Sequence, residues 1–166
     1  MSDGVRALAP IALTFAVLMA ALYWALGGLV ERRQHPNQGL ESGAGGPQRV
    51  ELVANAAGQY IVPGRINGTE VDFLVDTGAS HVAVPEDIAR EIGLRRGPEI
   101  RVQTASGTAR AYHTTIDRIA VGGIVRRDVR GSINPSMPGD YVLLGMTYLR
   151  DLELRQTGDR LILEAP

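Results

Sequence analysis

The apolar positions of this chain change character twice. From Ala7 to Val30 they run on without a charged residue, and a helix of that length would span ~36 Å, enough for the hydrocarbon core of a bilayer. From Glu31 to Gln48 the apolar pattern gives way to Pro, Gly, Gln, Asn and Ser, ending in Gly43-Ala44-Gly45-Gly46-Pro47, a composition that reads as a flexible tether. From Arg49 onward Val, Ile and Leu recur in short stretches broken by Gly or Asn-Gly every ~8–12 residues, as in an all-β barrel or sandwich. The chain is therefore expected to divide into a tail over 1–6, a transmembrane anchor over 7–30, a linker over 31–48 and one β domain over 49–166.

Within that domain the pattern predicts strands near 50–54, 59–66 and 70–75. Asn67-Gly68 joins the last two as a two-residue hairpin, because both positions tolerate positive φ. His81 to Val84 reads as a short strand, and Pro85 to Gly93 as a helix with Pro in its first turn and Gly after its end. Further strands are expected near 100–104, 108–121, 124–133, 141–144, 151–155 and 160–164, with a brief helix from Met146 to Arg150. The domain is large enough for one modest core and no second one. No internal repeat is visible.

A cleaved signal peptide competes with the anchor, but its apolar region is normally ~7–15 residues and ends at a small-residue cleavage site. The longer run favours an uncleaved anchor, with Tyr23 and Trp24 toward its far end as interfacial aromatics. Charge adds an exclusion. Lys plus Arg number 17 and Asp plus Glu 18, so no basic surface argues for nucleic acid and no acidic run for a disordered tail. The absence of cysteine removes disulfides, thiolate catalysis and cysteine-ligated zinc together.

The chemistry-bearing candidates are few. His81 and His113 sit in no ligand-spaced cluster, and no nucleophile elbow or His-Glu-x-x-His occurs, so no metal is expected. Gly122-Gly123 is a turn without a phosphate-loop context. Arg126, Arg127 and Arg130 read by default as the solvated side of a strand, with an acidic partner or a lipid headgroup as the other reading. The informative stretch is Phe73-Leu74-Val75-Asp76-Thr77-Gly78-Ala79-Ser80, an apolar strand running into Asp-Thr-Gly. Asp76 supplies carboxylate oxygens at the end of a buried strand, and Gly78 lets another chain come close. As a bare string it also fits a carboxylate that caps its own loop. A second element, Val142-Leu143-Leu144-Gly145, follows downstream.

Together Asp76-Thr77-Gly78-Ala79 and Leu143-Leu144-Gly145 resemble the two signatures of the retropepsin-like aspartic proteases, and the bacterial membrane-anchored single-domain members in particular. The resemblance, over roughly 49–164, implies an acid-protease barrel with one or two short helices. It implies that Asp76 is catalytic and that Thr77, Gly78, Leu143, Leu144 and Gly145 support the active-site loop. The chain holds one Asp-Thr-Gly, so a two-fold homodimer would bring two Asp76 carboxylates together, sharing a proton and activating a water without metal or cofactor. Substrate would be an extended peptide or protein. It would be bound by Gly78, Ala79 and Ser80, and by a flap over 102–109 whose small residues Ala105, Ser106 and Gly107 suit backbone contact.

The viral members usually carry an Asp after the Ala and an Arg soon after the late Gly, forming an ion pair. Here those positions hold Ser80 and Met146-Thr147, so a source of dimer stability is absent. A catalytically silent dimerisation or peptide-binding module of the same fold stays open. Arg6 on one side of the apolar run and Arg32 and Arg33 on the other nearly balance. The short amino-terminal tail and the resemblance place the domain on the periplasmic or extracytoplasmic side of the cell membrane.

Overall fold

The computed structural model describes residues 15–24, 34–40, 48–104 and 107–166. The chain forms two compact units, 1–35 and 36–166. In the first, residues 15–24 are helical, and the large apolar side chains Phe15, Leu18, Leu22, Tyr23 and Trp24 are all exposed. The anchor expected over 7–30 extends beyond the described residues. Among the described residues no helix is long and apolar enough to cross a membrane.

The second unit holds two sheets. Strands β1 (Arg49–Val53), β10 (Arg160–Glu164) and β9 (Glu153–Thr157) form an antiparallel three-stranded sheet in that order. The larger sheet has the order β2-β3-β8-β4-β7-β6-β5. Its strands are β2 (Ile61–Ile66), β3 (Thr69–Val75), β4 (Val82–Pro85), β5 (Glu99–Thr104), β6 (Gly107–Val121), β7 (Ile124–Asn134) and β8 (Val142–Leu144). Pairing of β2 with β6 through Ile66 and Ile119 closes this sheet on itself as a barrel and leaves β5 an edge strand on β6. Among the described residues of this unit the helices are short, α1 (Glu86–Glu91) and α2 (Met146–Leu149).

Inward positions alternate as a half-buried pleat requires. In β6, Ile116 is buried while Thr115 and Asp117 are exposed. Phe73, Ile66, Val82, Leu144, Leu149 and Tyr148 share one apolar cluster with Leu52 and Leu163 of the smaller sheet. The Tyr148 hydroxyl is not left unpaired there, since it donates to the Ile124 carbonyl at 2.9 Å. At the β2–β3 hairpin Asn67 and Gly68 adopt φ of 51° and 93°, the turn that Asn-Gly favours.

Most strands fall within a residue or two of the sequence expectation. β9 begins two residues late because the turn after α2 continues through Leu152, whose N–H donates to the Leu149 carbonyl at 2.9 Å. Helix α1 is shorter than expected at its start, because Pro85 still belongs to β4 and pairs with Asn134. The stretch expected as a free tether is held at one point. Asn37 is buried, its Nδ2 donates to the carbonyls of Val53 at 3.0 Å and Ile61 at 2.7 Å, and its Oδ1 accepts the Val53 N–H at 2.8 Å. One side-chain amide has both donors and an acceptor, so Asn37 joins the end of β1 to the start of β2. Leu40 packs on the core beside it.

Candidate active site

Asp76 stands one residue beyond β3, a strand gripped from both sides. Leu74 pairs with Ile61 of antiparallel β2 and with Leu143 of parallel β8. The grip continues past the strand: the Val75 N–H donates to the Tyr60 carbonyl at 2.9 Å and the Asp76 N–H to the Leu144 carbonyl at 3.3 Å. Because β8 also pairs with β4 at Ala83, the Asp-Thr-Gly loop leaves one neighbour of β8 and returns into the other.

The loop is built from its own backbone. Asp76 Oδ1 accepts the Gly78 N–H at 2.8 Å, and the Asp76 carbonyl accepts the Ala79 N–H at 3.3 Å. A Cβ at residue 78 would stand 3.1 Å from Asp76 Oδ1, so glycine keeps the carboxylate uncrowded. Thr77, Gly78 and Ser80 are exposed and Asp76 half-buried. Beneath them Leu144 and Gly145 are buried and Leu143 half-buried. A Cβ at Gly145 would lie 2.7 Å from the Ala79 carbonyl oxygen and closer still to that of His81, while the Met146 N–H donates to the Ala79 carbonyl at 2.8 Å.

Thr147 is the support that motif reading did not assign. Its hydroxyl accepts the Val82 N–H at 3.0 Å and donates to the Arg130 carbonyl at 2.7 Å, holding the loop's return to β7. The available signal was its place two residues after Gly145.

A cleft of about 550 Å³ opens beside the loop. It is lined by Gly78 to His81, by Val102 to Thr104 of β5 with Ala109 of β6, and by Asn134 at the end of β7 with Met137 beyond it. Gly78, Ala79 and Ser80, the loop residues expected to contact substrate, are among its lining, and Asp76 is not. Of the expected flap, β5 and β6 pair through Val102 with Ala109 and Thr104 with Gly107. Ala105 and Ser106 lie outside the described residues, and Gly107 is not among the lining.

His81 and His113, read separately in the sequence, come together: their rings meet edge-on with centroids 6.2 Å apart. Partial burial first, then the charges of His113, Arg130 and Arg150, hold the His81 imidazole below its ordinary pKa of 6.5. Among the described residues no three His, Cys, Asp or Glu side chains are grouped to hold a metal ion. The basic group of β7 divides, with Arg126 paired to Asp151 at 2.8 Å and Arg130 near enough to His81 for its charge to act on that imidazole.

Residues 62–151 match the family model described as "gag-polyprotein putative aspartyl protease". An uncharacterized protein of a Sinorhizobium species, from the cobV 5′ region, is 33% identical over 114 residues, 67% of this chain and 49% of that one. The chain thus spans about half the length of the curated relative it matches. A retropepsin-like aspartic protease from Rickettsia conorii superposes with a TM-score of 0.59 at 25% identity, covering 75% of this chain and 91% of the other. The EIAV protease, in complex with the inhibitor HBY-793, is 21% identical with a TM-score of 0.47 over 56% of this chain and 86% of its own. The matched residues run from β2 through α2 and carry both signatures, the Asp-Thr-Gly-Ala loop and the Leu-Leu-Gly strand end, so this chain belongs to the retropepsin-like aspartic protease family.

Proposed function

We propose that this chain is a membrane-anchored aspartic endopeptidase that works as a homodimer on extended peptides. The observation that carries the reading is Asp76 itself. Its half-buried carboxylate belongs to a loop braced by Gly78 and Leu144, the next residues of that loop line a cleft of about 550 Å³, and the chain holds one Asp-Thr-Gly. Two copies would supply the two carboxylates. Side by side these cannot both ionise, so one proton is shared between them. The ionised Asp76 takes a proton from water, and the protonated one donates a hydrogen bond to the scissile carbonyl. The water oxygen adds to the scissile carbon as the carbonyl oxygen takes the protonated partner's proton. The resulting diol expels the amine, its C–N bond breaking as its nitrogen takes the proton now held by the first Asp76. β5, at the edge of the sheet among the described residues, offers main-chain groups for strand addition by the substrate.

Anchoring is supported by the uncharged run over 7–30 and by apolar side chains exposed around the helix at 15–24, which suit lipid better than water. With that anchor the domain faces the periplasmic or extracytoplasmic side. The test is cleavage of a mixed unfolded-protein substrate by full-length protein in neutral detergent, read by mass spectrometry beside Asp76→Asn. Fragments made by the parent alone, at a rate rising faster than linearly with enzyme concentration, are expected. A folded, dimeric parent that cleaves nothing would instead identify a silent binding module.

A further inference from the structure

A second hollow, of about 880 Å³, lies between the 93–98 loop and strands β6 and β7. Its lining is one-sided in charge. It includes Arg95, Arg96, Arg130 and His113 and a single carboxylate, Asp117. Arg96 is already held, paired with Glu86 and stacked over the Tyr112 ring at 4.7 Å. Arg95 and Arg130 are exposed and, among the described residues, make no salt bridge to a carboxylate, so their guanidinium donors are open to an anion from solution.

The walls are fixed rather than loose. The Gly97 N–H donates to the His113 carbonyl at 2.7 Å, the His113 N–H to the Pro98 carbonyl at 2.9 Å, and the Thr114 hydroxyl to the Arg95 carbonyl at 2.9 Å. A Cβ at Gly97 would stand 2.9 Å from the His113 carbonyl oxygen, so the 93–98 loop can lie this close to β6 only with glycine there. Guanidinium groups match the oxygen spacing of a tetrahedral anion, and Asn67 at the rim adds an amide.

We propose that this hollow binds a phosphate-class oxyanion, held by Arg95 and Arg130 with His113. The site is separate from the peptide cleft. It adjoins the candidate catalytic loop at His113, whose ring meets that of His81 one residue beyond Ser80. A phosphate monoester and a lipid phosphodiester share the recognised chemistry, and the two sources are distinguished by the ligand used.

The test follows the imidazole resonances of the full-length protein in neutral detergent. Inorganic phosphate is one titrant and glycerophosphoglycerol, the headgroup of a common anionic lipid, the other, with sodium chloride at matched ionic strength as control. Saturable movement of the His113 signals is expected with at least one of them, and whichever saturates names the source. Arg95→Gln and Arg130→Gln should each weaken binding about fivefold. Asp117→Asn should tighten it by removing the opposing charge, a gain that a damaged fold would not produce. Arg127→Gln, on β7 but outside the hollow, should leave it unchanged. Movement no greater than with chloride for both titrants, or binding indifferent to Arg95, Arg130 and Asp117, would overturn the proposal.

Discussion

Thr147 holds Val82: its hydroxyl accepts the Val82 N–H at 3.0 Å and donates its own hydrogen bond to the Arg130 carbonyl at 2.7 Å. One short side chain thereby ties α2 to the strand that follows the Asp-Thr-Gly loop and to β7. Thr147→Val keeps the shape and deletes both bonds, stranding a backbone donor and acceptor. It should destabilise the domain by about 1–2 kcal/mol, and Thr147→Ser should restore most of the loss. Urea midpoints measured at unchanged slope check this.

Gly145 carries the next prediction. A side chain there would press on the carbonyls of Ala79 and His81, both rigid backbone groups. Relief requires β8 or the loop to move, at a cost of about 3 kcal/mol for one added methyl. Gly145→Ala should therefore lower the thermal midpoint and, in whatever folded fraction remains, reduce cleavage more than Thr147→Ser does. Equal activity per folded molecule in the two variants would separate Gly145 from the site.

Much of this was legible because the signals are local. Asn67-Gly68 marks its hairpin since few other pairs accept positive φ twice, and Phe73 to Val75 reads as a buried strand from three residues. The meeting of His81 with His113 is a matter of register instead. It requires β4 to run parallel to β7 with Val82 opposite Gly131, and β7 antiparallel to β6 with Ser132 opposite His113. No spacing in the chain encodes those two pairings. The hollow beside them is hidden for the same reason, being assembled from Arg95, Asp117 and Arg130 of different elements.

Asn37 was equally invisible, because its partners are backbone groups 16 and 24 residues away that any residue would present. Its amide makes three hydrogen bonds to β1 and β2. Asn37→Ala should cost about 2 kcal/mol, the penalty of leaving buried backbone groups unpaired. A chain starting at Pro47 should lose at least as much relative to one starting at Pro36, since it also gives up Leu40. Coincident melting of the two truncated chains would show that the contact contributes nothing.

His81 makes the stability of the domain pH-dependent in a direction that its surroundings fix. Partial burial is the main cause holding its folded-state pKa below 6.5, and His113, Arg130 and Arg150 act in the same sense. The unfolded chain therefore binds this proton more readily than the folded one. Above 6.5 both states carry neutral His81, and the stability it permits is fully present. As pH falls below that value the unfolded state gains the proton first, and stability declines until the folded pKa is passed. His81→Gln removes the titration while keeping a side chain of similar polarity. Its stability should fall less than the parent's between about pH 7.5 and pH 5.5, and at the upper end the two should differ little. Parallel pH profiles of unfolding free energy for parent and variant would refute the assignment to His81 and move it to other groups.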